Sequence, residues 1–447
     1  MKIYKFPDNF LWGAATSSYQ IEGAWKADNK SMSIWDDFCR KPGAIYNGDR
    51  GDTACEHYYR YEEDIEIIRK LGFSAYRFSV SWPRIMPKGY GEPNEKGIEF
   101  YKELISLLNK NNIEPFLTLY HWDLPLDLQK EGGWENRKTV DYFVEYAKYL
   151  FKEIGDSVSY WATINEPFIV SMVGNYWGIH APGIKNPKTA FQVAHNLLLA
   201  HGYTVNVFRE MKMKGKIGIV LNMPDIHSAS ENMEDKLATK IKEGLINKWY
   251  TEPIFRGTYP KFISEFLKKK GIFPEVQADD LRYINTPIDF LGLNYYSRSV
   301  IKYSINDSVL EFDWAEVTGE KTDLGWEIYP EGLLNILKWL NNEYKGIPIY
   351  ITENGAAFND HIVNNKVNDI KRIDFFKKHF IEAYKAIQAG VNLKGFFVWS
   401  LLDNFEWSWG YSKRFGIIYI DYKTQKRIIK ESGLWLKEII KNNYLEA

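Results

Sequence analysis

Eight short apolar stretches recur along the chain, and most are followed by a longer stretch in which apolar residues return every three or four positions. The short runs, rich in β-branched and aromatic residues, fall at 10–15, 75–80, 115–120, 160–164, 216–221, 289–293, 347–352 and 394–399. Their composition and length predict strands. Between them, 61–71 places Ile65, Ile68 and Leu71 on one helical face, and 97–108 gathers Phe100, Leu104, Leu107 and Leu108. Segments 140–154, 189–211, 330–344 and 373–389 carry the same period, so all six predict helices. Gly72 and Gly390 stand just past two of these, where a left-handed residue ends a helix.

Alternating strands and helices imply a parallel sheet with helical crossovers. Several of the strands are apolar throughout, as strands covered on both faces should be. No Pro-, Ser- or Gly-rich linker divides the 447 residues. The expectation is an α/β fold in one domain over 1–447, a single (β/α)8 barrel with elaborated βα loops. No glycine fingerprint follows the first strand and no GxxxxGK occurs, which removes support for a nucleotide-binding doubly wound sheet.

Charge narrows the class further. The 57 basic and 58 acidic residues leave a net charge of −1, so there is no basic field to attract nucleic acid or anionic lipid. No apolar run approaches the ~20 residues of a membrane span. Cys39 and Cys55 form no CxxC and read as reduced thiols, and the opening MKIYKFPDNF lacks an apolar leader core, so the expected location is cytoplasmic. The glycosylation-like triplets 29–31 and 306–308 read as chance matches. Aromatic residues make up 16% of the chain, with 16 Trp. Most must serve a large core, and a subset suits a ring-lined cleft for a sugar or a nucleobase.

In such barrels function collects at the C-terminal ends of the strands. Gln20 follows the first strand, Arg77 lies within the second, and His121-Trp122 follow the third. The fourth ends in Asn165-Glu166, the sixth in Asn294-Tyr295-Tyr296 and the seventh in Glu353-Asn354. Trp399 ends the eighth, with Glu406-Trp407 just beyond. Carboxylates, amides, imidazole and indole in these places suit a polyol.

Glu166 precedes Pro167, which is expected to hold it extended, and Glu353 precedes the turn-forming Gly355. Two such glutamates face one another across a barrel mouth, and glycoside cleavage needs two carboxyl groups flanking the scissile bond. A single glutamate at a strand end reads more readily as a surface ion pair; two at equivalent positions reverse that preference. If Arg77 points at Glu353, it keeps Glu353 ionised as the nucleophile and leaves Glu166 as the acid. The alternative for Arg77 is a structural salt bridge inside the barrel.

The stretch Phe10-Leu11-Trp12-Gly13-Ala14-Ala15-Thr16-Ser17-Ser18-Tyr19-Gln20-Ile21-Glu22-Gly23-Ala24 resembles the opening signature of glycoside hydrolase family 1. Thr163-Ile164-Asn165-Glu166-Pro167 resembles its acid/base motif and Ile351-Thr352-Glu353-Asn354-Gly355 its nucleophile motif. Tyr120-His121-Trp122-Asp123-Leu124-Pro125, Asn294-Tyr295-Tyr296 and Trp399-Ser400-Leu401-Leu402-Asp403-Asn404-Phe405-Glu406-Trp407 continue the likeness over essentially the whole chain.

The resemblance implies a retaining, exo-acting β-glycosidase, above all a β-glucosidase. It would release terminal β-D-glucosyl residues from oligosaccharides such as cellobiose and from aryl or alkyl glucosides, with side activity on β-galactosides and β-fucosides. It implies Glu353 as nucleophile, Glu166 as acid/base, Asn165 on the sugar 2-hydroxyl and Tyr296 on the nucleophile. Gln20, His121, Trp122, Glu406 and Trp407 would grip the glycone, with Trp399 under its ring and Trp326 as aglycone platform. For Trp326 a core or loop-packing role stands beside that one, and Phe415 is a weaker candidate for the same cleft. The segment 297–323 is expected as a loop shaping the aglycone side. No metal and no cofactor are implied, and the partner is a small β-glycoside rather than nucleic acid or membrane. Two alternatives are a 6-phospho-β-glycosidase, with Lys413 and Arg414 nearby as phosphate candidates and Glu406 against it, and a non-catalytic sugar-binding barrel.

Overall fold

Each of the eight apolar runs is a strand in the computed structural model, which describes residues 2–307 and 309–446. Ser308 of the triplet 306–308 therefore lies outside the described residues. The strands are β1 (Leu11–Ala15), β2 (Ala75–Ser79), β3 (Glu114–Tyr120), β4 (Tyr160–Asn165), β5 (Lys216–Asn222), β6 (Phe290–Asn294), β7 (Ile349–Asn354) and β8 (Leu393–Trp399). They pair in parallel in chain order, and β8 closes on β1 from Gly395 opposite Leu11 to Trp399 opposite Ala15. The result is a closed eight-stranded barrel.

The predicted helices appear as His57–Leu71, Glu95–Lys110, Lys138–Ile154, Pro187–Glu210, Glu331–Glu343 and Ile370–Gln388. Their apolar faces cover the outer face of the sheet in one continuous core. Gly72 sits at φ 81° and Gly390 at φ 87°, as helix-ending glycines should. Helix Glu431–Asn442 and the hairpin of Ile418–Asp421 with Lys426–Ile429 complete the last unit. The segment 297–323, expected as a loop, instead carries strands Arg298–Tyr303 and Phe312–Trp314, which pair with each other, and Arg298–Tyr303 also pairs with Asp225–Ser228.

Inside the barrel the side chains form layers. Small residues from some strands (Ala15, Ala75, Ala162) meet large ones from others (Phe116, Phe290, Tyr350, Phe397) in one buried cluster. Phe116 stacks on Tyr160 at 5.3 Å and meets Phe290 and Phe397 edge-on at 5.2 and 5.1 Å. Gly13 makes this possible: a Cβ there would stand 2.2 Å from the Phe397 ring. This ring layer closes the barrel, and the polar residues lie above it, toward the strand C-termini. Among the described residues no helix is long and apolar enough to cross a membrane. Cys39 and Cys55 are free and buried.

Candidate active site

The strand ends open on a cavity of about 680 Å³. His121, Trp122, Glu166, Tyr296, Glu353, Trp399, Glu406 and Trp407 line it, with Trp326 and Phe415 toward the mouth. Gln20, Arg77 and Asn165 lie one layer deeper, fully buried. The residues expected to act in catalysis or to contact the glycone and aglycone thus lie together.

Arg77 is its keystone. Nη1 donates to Glu353 Oε1 at 2.6 Å and Nη2 to Asn165 Oδ1 at 2.7 Å. The Tyr296 hydroxyl donates to the other carboxylate oxygen, Glu353 Oε2, at 2.6 Å. Both oxygens of Glu353 are therefore held by donors, one of them a cation.

Glu166 differs. It accepts from Asn294 Nδ2 at 2.7 Å and makes no ion pair. Burial, reinforced by the charge on Glu353, pushes its carboxyl up to about 8. Its backbone departs from the expectation that Pro167 holds it extended. Glu166 has φ 48°, because it lies at a strand-to-helix turn: its N–H donates to Val220 O and its carbonyl accepts from Ile169 N–H. Trp122 and Trp407 also have positive φ, at 80° and 45°. Left-handed backbone at side chains this large stores strain of roughly 1–3 kcal/mol each and concentrates at functional sites.

The surrounding groups are neutral hydrogen-bonding partners. His121 is held well below its usual range by burial and then by the Arg77 charge. Its Nε2 faces Asn165 Nδ2 at 3.1 Å, so Nε2 accepts and Nδ1 carries the proton. Trp122 Nε1 donates to the Asn165 carbonyl at 2.9 Å. Gln20 bonds Asn404 Oδ1 and the Phe405 carbonyl, and lies 3.5 Å from Glu406 Oε2. Glu406, like Glu166, is pushed up to about 8 by burial and by Glu353.

Indoles supply the flat surfaces. Trp399 stacks near His121 at 6.1 Å, and Trp407 packs against Trp122 at 4.4 Å. Trp326 is 40% exposed, with its ring 5.4 Å from Tyr296 and 6.3 Å from Phe415, which places it at the cavity rim rather than in a core. The hairpin within 297–323 contributes Arg298, Val300 and Trp314 to one wall. Lys413 donates to the Asp323 carbonyl and Arg414 pairs with Asp403, so neither basic candidate faces the cavity.

Sequence reasoning gave no role to Asn294, which bridges Glu166 and Asn165 while accepting from Thr352 Oγ1 at 2.7 Å. Its place at the strand end was the available signal. It also passed over Lys242 and Trp177 in the cavity wall, which no motif marks. Together the site offers a carboxylate group held by a cation and a hydroxyl, a second carboxyl raised by burial, further hydrogen-bonding groups and apolar ring faces. That set can form and hydrolyse a bond at an acetal carbon.

The family model described as glycosyl hydrolase family 1 matches residues 3–445. Beta-glucosidase A of Thermotoga maritima is 52% identical over 448 residues, covering all of both chains. Beta-glucosidase A of Acetivibrio thermocellus is 51% identical over 452 residues, covering 99% of this chain and all of that protein. The solved family 1 β-glucosidase from Thermotoga maritima in complex with isofagomine lactam superposes with a TM-score of 0.96 at 51% identity, over 99% of this chain and 100% of that one.

Proposed function

The chain belongs to glycosyl hydrolase family 1 and is a β-glucosidase, and from that premise we propose a retaining, exo-acting double displacement at the Glu353–Glu166 pair. The observation that carries the assignment is the asymmetry of the two carboxyl groups. Glu353 is fixed by Arg77 and Tyr296, whereas Glu166 has no cation and holds its proton. A Glu353 oxygen attacks the anomeric carbon while Glu166 gives its proton to the departing oxygen. The C1–O bond to the aglycone breaks and a glucosyl ester forms. Glu166, now a carboxylate, takes a proton from water, whose oxygen attacks C1, breaks the ester and returns glucose with its β configuration.

The substrate is a small β-glycoside. Gln20, His121, Trp122, Asn165, Glu406 and Trp407 suit the glycone hydroxyls, Trp399 its apolar face, and the Trp326 rim the aglycone. Oligosaccharides such as cellobiose and aryl or alkyl β-glucosides fit, with β-galactosides and β-fucosides as side substrates. The engaged Lys413 and Arg414 leave a 6-phosphate without these two as counter-ions. The two buried free thiols support a cytoplasmic location.

The test compares 4-nitrophenyl β-glucoside, β-galactoside, β-fucoside and 6-phospho-β-glucoside, together with cellobiose. Glu353→Ala abolishes turnover while sugar binding, followed by calorimetry, persists. Unchanged hydrolysis by that variant, or a preference for the phosphorylated substrate, overturns the proposal.

A further inference from the structure

Six basic side chains are buried among the described residues: Arg77, Arg84, Lys242, Arg372, Arg427 and Lys430. Five pair with a carboxylate, namely Glu353, Glu22, Asp360, Asp64 and Asp360 respectively. Lys242 is the exception. It lies near the end of helix Met233–Glu243, is 2% exposed, and lines the catalytic cavity. Its ammonium stands 4.6 Å from the Trp314 ring, 4.9 Å from Phe168, 5.1 Å from Phe312 and 5.7 Å from Trp177. No carboxylate and no hydrogen-bond acceptor of the described residues reaches it.

Ring faces attract a cation by about 0.5–2 kcal/mol each, yet they do not satisfy its three N–H donors. Burying an ammonium costs several kcal/mol, and burial alone brings this one down to about 7. A buried cation without an anion, directed into a ligand cavity, lacks its partner. The position indicates which ligand supplies that partner. Phe168 follows Glu166 by two residues, and Trp314 belongs to the hairpin on the same wall. Since Glu166 protonates the departing oxygen, the leaving group lies on its side of the cavity. The flat rings suit an aryl group there, and a carboxylate on it offers both the counter-charge and the acceptor lone pairs.

We infer that Lys242 is a specificity residue of the aglycone side, recognising β-glucosides whose aryl aglycone bears a carboxylate. The inference rests on Glu166 being the proton donor to the leaving group. The test is steady-state kinetics on 4-carboxyphenyl β-D-glucoside and its methyl ester at pH 7. Lys242→Met keeps the length of the side chain and fills the cage with an apolar group. A charge-assisted hydrogen bond of this kind makes the acid-to-ester ratio of kcat/KM fall about tenfold or more, through KM, in that variant. Lys242→Arg, which keeps the charge, retains a larger part of the ratio. A ratio that stays within about twofold of the parent, or an equal loss on both substrates, overturns the inference. The unaltered enzyme gives a second readout: benzoate inhibits hydrolysis of 4-nitrophenyl β-D-glucoside more strongly than methyl benzoate, and equal inhibition overturns the inference as well. Failure of the unaltered enzyme to hydrolyse 4-nitrophenyl β-D-glucoside counts instead against the catalytic assignment.

Discussion

In the proposed mechanism Glu166 keeps a proton in the folded protein that it later surrenders, and this has a cost in stability. Folding raises its carboxyl from an unfolded value of about 4.3 to about 8, chiefly through burial. The folded state therefore holds a proton that the unfolded chain has released between those two values. Stability from this group is fully present below the unfolded value and is lost as pH rises through the window to about 8. Glu166→Gln removes the ionisation and leaves an oxygen for Asn294. The variant is expected to gain thermal stability over the parent, by a margin larger at pH 8 than at pH 5, as calorimetry at the two pH values checks. In the parent, the alkaline limb of kcat/KM follows loss of the same proton, so activity falls as pH passes about 8. The placement of the two glutamates at the cavity was legible in the sequence because each ends an apolar run beside an amide. Lys242 was not, because a lysine on an amphipathic helix looks like any solvated lysine until the hairpin of 297–323 folds over it.

At the scale of elements, β7 and β8 approach so closely beyond their ends that only glycine fits between them. A Cβ on Gly355 would stand 1.7 Å from the Trp399 carbonyl oxygen. Gly355→Ala must push apart the strands that carry Glu353 and Trp399. We expect kcat to fall at least about tenfold, since a shift of about 1 Å in catalytic groups costs up to about 100-fold. Below the site, Phe116 is fully buried among four other rings. Phe116→Ala opens a cavity there and lowers the unfolding free energy by about 3–5 kcal/mol, measurable by urea denaturation. The barrel strands and six of the helices were legible because one face or both are apolar at a fixed period. The strands within 297–323 were hidden, since Arg298–Tyr303 is held between Asp225–Ser228 and Phe312–Trp314 by pairing and not by its own alternation.

At the scale of the molecule, the two ends of the chain meet. Ile3–Lys5 pairs antiparallel with Tyr444–Glu446, a contact that no local pattern announces. Asn443 pins it: its side-chain amide donates to the carbonyls of Phe6 and Pro7 and accepts from Nε1 of Trp12, which lies in β1. With φ 54°, Asn443 also occupies a backbone region that alanine resists. Asn443→Ala is expected to destabilise the whole barrel by about 2–3 kcal/mol, read as a lower denaturation midpoint with the same slope, while KM for an aryl glucoside stays unchanged. The barrel itself was legible from the count of strand–helix units. The ring layer across the barrel interior has one more consequence. It floors the cavity from within the barrel, so substrate, departing alcohol, water and glucose share the mouth at the strand C-termini. The alcohol has to vacate before water enters, and glucose, seated deepest, is the last to leave. Free glucose therefore competes with incoming substrate for the empty cavity, and an alcohol lingering in the mouth competes with water for the sugar.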